Sequence, residues 1–223
     1  MQRGAALSLT PAFLILTFVT GIVDAVSVLG LDRVFVANMT GNVAFLGFAA
    51  VGTPGFHIAP LLAALLAFLL GALIAGRSLA RQAGSGQQAR SFVFEGLLLA
   101  AAGVVALEYD PAAPAREVGL YAIIGLTGIA MGYRNARIRA LKVPDMTTTV
   151  LTLTLTGLAA ESSAAGGTNP NWQTRVGSVI ALALGAALGA VLVLHSGLAL
   201  PLLVGAGLVL VAELASARTT DAD

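Results

Sequence analysis

Asp24 places a carboxylate inside an apolar stretch, and the nearest hydroxyls fall at helical intervals around it. Thr17, Thr20, Asp24 and Ser27 are spaced three, four and three apart, which is one stripe of an α-helix. An ionised carboxylate at the centre of a bilayer costs about 2.5–3.5 kcal/mol on insertion scales. Asp24 must therefore face the protein interior or a water cavity, be paired, or be protonated. It could serve as a proton- or cation-coupling group, or as a hydrogen-bond acceptor for a substrate. Equally, it could be a structural cap that accepts backbone N–H groups from a broken helix. Asn38, Thr40 and Asn42 follow in the run Asn38-Met39-Thr40-Gly41-Asn42. Asn38 can cap a helix beginning at Met39. At membrane depth, such a helix start offers free N–H groups and a positive dipole end to an anion or a polar solute.

The chain then repeats this pattern. At a displacement of 107 positions (127 − 20), Thr20-Gly21-Ile22 falls on Thr127-Gly128-Ile129, Met39-Thr40 on Met146-Thr147, and Val43 on Val150. Asp145 takes the place of Asn38, after Pro144 ends the preceding segment. Asn135, Thr147, Thr148 and Thr149 are the second half's candidates to line a common site. Arg134 stands nearby as a candidate partner for Asp24, while Arg137, Arg139 and Lys142 read as cytoplasmic anchors.

These residues need apolar elements to hold them. The chain has 223 residues, 57% hydrophobic and 10% charged, against roughly 25% charged in a soluble domain. The fold class is an all-α polytopic membrane protein, a single membrane domain over 1–223 with internal repeats at 11–108 and 117–216. Six segments read as full spans: 11–31, 57–79, 91–108, 117–134, 173–195 and 197–216. Two more, 35–52 and 146–161, are shorter, polar at their starts, and rich in Gly or Thr; they read as broken or re-entrant helices. The strict alternation of Thr149–Thr156 suggests a strand, but a lone strand cannot satisfy its backbone in lipid, so this segment too is helical.

Charge separates this topology from the alternative of eight full spans. With six, Arg3, Arg77, Arg81, Arg90, Arg134, Arg137, Arg139, Lys142, Arg175 and Arg218 share the inner side, leaving Arg33 and Arg116 outside. Eight spans divide the same residues eight against four, a weaker positive-inside bias. Three spans per half also make the halves inverted, a recurring transporter design. Both termini are then cytoplasmic, in a bacterial inner membrane.

Small residues recur every four positions in the third apolar block of each half: Ala63, Ala67, Gly71 and Ala75, then Gly177, Ala181, Gly185 and Gly189. Such rows let backbones approach closely, and symmetry suggests that the two blocks pack on each other, at the pseudo-twofold or across a homodimer. Cysteine is absent, which excludes disulfides, thiolate metal sites and a Cys nucleophile. His57 and His195 have no metal-ligand spacing. No cofactor and no nucleic-acid partner is implied. An enzyme is not indicated: there is no Ser/His, Ser/Lys or HExxH arrangement, and Glu95, Glu108, Glu117 and Glu161 sit at predicted span ends.

The stretch GIVDAVSVLGLDRVFVANMTGNVAFLG resembles the signature of the YoaK family of bacterial inner-membrane proteins. GIAMGYRNARIRALKVPDMTTTVLTLTLTGL resembles that family's second motif, with Arg134 standing where Gln is usual. The resemblance covers nearly the whole chain. It implies about six spans and a membrane location, and it brings no assigned activity. The functional expectation is a small transporter or channel-like permease for a small polar solute or ion. Asp24, Asn38, Thr40 and Asn42 line its site from one half, and Asn135, Thr147, Thr148 and Thr149 from the other. The alternative is a non-transporting scaffold or regulatory subunit. Its partners are the lipid bilayer, the solute and, six spans being few for alternating access, a second copy in a homodimer.

Overall fold

A computed structural model describes residues 2–81, 90–114, 116–140 and 151–220, and among them the secondary structure is helical. The helices are α1 (Gln2–Gly30), α2 (Met39–Ala50), α3 (Ile58–Arg81), α4 (Arg90–Leu107), α5 (Arg116–Ala140), α6 (Leu151–Ala160), α7 (Trp172–Ser196) and α8 (Ala199–Thr220), with a 3₁₀ turn at Ser163–Ala165. Three stretches, Pro11–Gly30, Ile58–Arg81 and Trp172–Ser196, are long and apolar enough to cross a membrane on length and composition alone. The molecule is a helical membrane protein.

Helix α5 is less apolar, although it has 25 residues. It packs against both α3 and α4, so its polar groups meet protein instead of lipid. It also runs past the expected end at 134, because Arg134, Arg137 and Ile138 are themselves buried. Helix α2 has 12 residues and the described part of α6 has 10. These lengths correspond to about 18 and 15 Å, roughly half of a hydrocarbon core of about 30 Å. The expected segment 35–52 is helical only from Met39; Leu31–Asn38 is a turn followed by irregular chain with a bend at Val36–Ala37.

The closest packing is α1 on α7 and α3 on α5. Glycines make both contacts. A Cβ added at Gly185 would collide with the backbone of Phe18, and one at Gly132 with the backbone of Phe68. This corrects the expectation that the two small-residue rows face each other. Among the described residues α3 and α7 do not touch; each instead packs on the first helix of the other half. The physical reason is that Gly21 and Gly128, on α1 and α5, supply the matching flat surfaces, closing on Leu182 and Ala186 and on Ala64 and Ala67.

Contacts also give the helix directions. Gly177 lies by Leu14 and Gly189 by Ile22 and Ala25, so α1 and α7 are parallel. Gly128 lies by Ala64 and Gly132 by Phe68, so α3 and α5 are parallel. Gly96 lies by Ala206 and Leu210, and Gly103 by Ala199 and Leu203, so α4 and α8 are antiparallel. Helix α4 also opposes α5, with Phe94 against Tyr133 at one end and Tyr109 against Gly119 at the other. Helix α1 opposes α8, through Gly30 with Leu198 and Val19 with Gly205. Leu16, Leu99, Ile123, Met131 and Leu202 are fully buried where α1, α4, α5 and α8 meet. Leu66, Leu69 and Leu73 of α3 and Leu184, Val191 and Leu194 of α7 are exposed, which suits them to lipid chains.

Gly132→Ala and Gly185→Ala are each expected to lower stability by about 1–3 kcal/mol through overpacking against backbone. Gly76→Ala, which enters open space, should be neutral or slightly stabilising because Ala is the better helix former. Thermal unfolding of the detergent-solubilised variants checks this, and equal melting of all three would contradict the packing described.

Candidate functional site

The break between α1 and α2 is built by three side chains. From Gly30 the chain turns through Leu31–Arg33, with Asp32 and Arg33 at positive φ (55° and 58°), and comes back along α1. It comes back as far as Asp24, whose Oδ1 accepts the Ala37 N–H at 3.3 Å. Asp24 is six residues, about 9 Å, before the end of α1, so the chain around Ala37 and the start of α2 lie alongside α1 and not beyond its end. The Asn42 side chain is fully buried and holds that chain from the other side. Its Oδ1 accepts the Phe35 N–H at 2.8 Å, and its Nδ2 donates to the Phe35 carbonyl at 2.5 Å. An amide is the one short side chain with a donor and an acceptor at this spacing, so Asn42 replaces the neighbour that Phe35 would have in a sheet. Asn38 caps α2, accepting the Gly41 N–H at 3.4 Å.

A second polar cluster joins α1, α4 and α5. Arg134 Nη1 donates to the Leu16 carbonyl at 2.6 Å and to Thr20 Oγ1 at 2.7 Å, and Nη2 donates to Glu95 Oε1 in an ion pair. The side chains are 0% and 1% exposed for Arg134 and Glu95. Glu95 Oε2 and Arg134 Nε have no hydrogen-bond partner among the described residues. Thr20 Oγ1 also donates to the Leu16 carbonyl, so Leu16, Thr20 and Arg134 close a small ring of polar groups. One turn further on, Arg137 lies over the Tyr133 ring, 5.7 Å from its centroid.

Three expectations are corrected here. Arg134 pairs with Glu95 and not with Asp24, because Asp24 is turned to the strand at Ala37. Glu95, five residues into α4, is fully buried at that end of the helix, since α4 packs between α5 and α8. Arg137 is buried against Tyr133 and is no solvated anchor; Arg139 is exposed.

The hydroxyl stripe of α1 is buried as its spacing requires. Thr17 donates back to the Phe13 carbonyl, Thr20 to Leu16 and Ser27 to the Asp24 carbonyl. Thr40 and Asn38 are exposed at the start of α2. Asn135 is half-buried on α5 and donates to the Met131 carbonyl at 2.8 Å. Thr147, Thr148 and Thr149, like Asp145, lie outside the described residues. In α6, Thr154 is buried while Thr152 and Thr156 are exposed. Asp24 is thus brought together with the start of α2, and Thr20, one turn below it, with Arg134 and Glu95.

At the end of the bundle where α1 stops, Arg116 Nη2 meets Asp32 Oδ2 at 3.3 Å. Beside it, Glu108, Tyr109, Asp110 and Arg116 border a cavity of about 410 Å³. Burial raises the Tyr109 phenol above its ordinary pKa, and Arg116 opposes that shift.

A family model described as Protein of unknown function (DUF1275) matches residues 12–215. The UPF0700 transmembrane protein YoaK of Bacillus subtilis (strain 168) is 28% identical over 152 residues, covering 67% of this chain and 65% of that protein. The matched stretch is thus just under two thirds of the relative's length. No solved structure matches the chain.

Asn42→Ala leaves the Phe35 N–H and carbonyl unpaired, at about 1–3 kcal/mol for each group. Asn42→Asp, which loses the donor and sets a buried carboxylate oxygen against the Phe35 carbonyl, should cost at least as much as Asn42→Ala, and thermal unfolding ranks the two. Glu95→Ala and Arg134→Ala each leave a buried lone charge and should cost about 3–5 kcal/mol, whereas the double change to Leu and Met should recover most of it. Thermal unfolding of the three variants checks this; a double variant no more stable than either single one would contradict the pairing described.

Proposed function

The chain belongs to the DUF1275 family, and from that premise we propose that it is a small transporter or channel-like permease for a small polar solute or ion. The observation that carries the reading is the Asp24–Ala37 hydrogen bond, which fixes a helix break and an ionisable group at one depth inside the span. Irregular backbone at that depth is tolerated where it is buried in protein or lines a water-filled cavity, and transporters bind substrate at such breaks. Asp24, Asn38, Thr40 and Asn42 line the site from one half, and Asn135, Thr147, Thr148 and Thr149 from the other.

The two halves are inverted repeats of three spans, each with one re-entrant helix. Supporting this, α1, α4 and α7 run one way and α3, α5 and α8 the other, so α2 leaves and returns at the same end. The pairings also come in matched sets: α1–α7 with α3–α5, α1–α8 with α4–α5, and α2–α3 with α6–α7. The end carrying Arg77, Arg81, Arg139 and Arg175 is cytoplasmic, opposite Arg33 and Arg116, in keeping with the positive-inside bias. Both termini are then cytoplasmic, in a bacterial inner membrane. The working unit is a homodimer.

One observation favours a scaffold instead: apart from the contact of the Asn42 amide with the Met39 sulfur, the described side-chain bonds of Asn38, Asn42 and Asp24 end on the backbone of residues 35–41. Asp24→Asn separates the two readings. For a transporter, a solute that stabilises the purified protein by mass action loses its effect in Asp24→Asn while the variant remains folded. For a scaffold, no member of a panel of small anions, cations, amino acids and nucleobases stabilises the wild type, and Asp24→Asn melts early.

A further inference from the structure

The buried Glu95–Arg134 pair says which solutes such a site can load. We infer that Arg134 is the binding group for a small monovalent anion, and that Glu95 holds its place and takes up a proton when the anion enters. This inference rests on the transporter reading.

The argument is one of charge. The pair joins α4 of the first half to α5 of the second, with Thr20 and the Leu16 carbonyl of α1 completing the ring. It is closed to both sides of the bundle, and its two charges cancel. A loaded site at this depth must stay neutral as well, since an uncompensated charge in a low-dielectric interior is costly. The two partners cannot adjust equally. Arginine keeps its proton at any working pH, whereas a carboxylate can gain one. A cation bound at Glu95 would leave Arg134 as a net positive charge. An anion bound at Arg134 leaves a net negative charge only until Glu95 is protonated.

One proton together with one monovalent anion is the loading that conserves neutrality. The proton comes from water to Glu95, the Glu95–Arg134 ion pair opens, and the anion accepts from the guanidinium. Arg134 Nε, which has no partner among the described residues, is a further donor for it. Glu95 Oε2, likewise without a described partner, is the oxygen open to the proton.

Other ionisable groups lie on the helices around Glu95. Helix α5 carries Tyr133, whose ring is tilted against Phe94, and Arg137, which lies over the Tyr133 ring. Helix α8 carries Glu213 toward the same end, and α1 carries Asp24 beyond Thr20. Glu95 is the acid ion-paired with the buried Arg134. Asp24 serves the strand at Ala37, which leaves the exchanged proton to Glu95.

The test uses anions of strong acids, whose own charge does not change with pH: nitrate, chloride and methanesulfonate, with methylammonium and choline as control cations. Binding to the purified full chain is read as thermal stabilisation at about pH 5.5 and about pH 8. With one proton taken up per anion, wild-type affinity should rise by up to about tenfold per pH unit on acidification. Glu95→Gln should bind the same anion with less than about a twofold pH effect, because its amide mimics the protonated acid. Arg134→Lys, which keeps the charge and so the fold, should weaken binding, since it loses the planar fork. An unchanged pH effect in Glu95→Gln would overturn the inference. So would stabilisation by the cations or by neutral solutes that depends on Asp24, although the transporter reading would then stand. If nothing stabilises the wild type, both fail together.

Discussion

At membrane depth a backbone amide has no water to bond, and this constraint shapes the molecule around the turn at Leu31–Arg33. A chain that doubles back into the span must supply its own partners for the N–H and carbonyl groups of the returning strand. Two side chains do this at Phe35 and Ala37. Asn42 reaches back from α2 to take both groups of Phe35, and Asp24 reaches across from α1 to take Ala37. The same bonds set how deep α2 starts and where its dipole points. Asp24 is therefore part of the architecture of the break.

The second constraint is contact between helices in a solvent as apolar as they are. Without a hydrophobic drive, the halves are joined where backbones can touch, and Gly71, Gly132, Gly185 and Gly189 let them touch. Because the third helix of each half packs on the first helix of the other, neither half has a complete surface of its own. The crossing leaves α1 and α5 at the centre, wrapped by protein. That is the environment in which α1 can carry Asp24 and α5 can carry Arg134 and Arg137.

Much of this was legible in the sequence, for identifiable reasons. The displaced repeat marked Asn38 and Asn42 together with Asp24, because capping chemistry is local and needs only short spacings. The two short segments were legible from their length and polar starts. What was not legible is which helix meets which: small-residue rows announce close packing but name no partner, so α3 and α7 could be matched wrongly to each other. Glu95 was missed for a related reason. It lies five residues after Arg90, which in a linear reading is the edge of a span. Only the packing of α4 between α5 and α8 shows that this edge is interior. The available signal was Arg134, a cation in an apolar run that required an acid from elsewhere in the chain.

The two polar clusters answer one electrostatic requirement in different ways. At the break, the carboxylate of Asp24 is met by a backbone N–H and the positive end of α2, both fixed dipoles that cannot be removed without refolding the strand. At the junction of α1, α4 and α5, the carboxylate of Glu95 is met by a full charge on a long side chain, which can swing away. A dipole-held acid is suited to keeping a shape, and a charge-held acid is suited to exchange, because its partner can be shared with a competing anion. Asp24 and Thr20 stand on consecutive turns of α1, so the rigid cluster and the exchangeable one are neighbours along one helix.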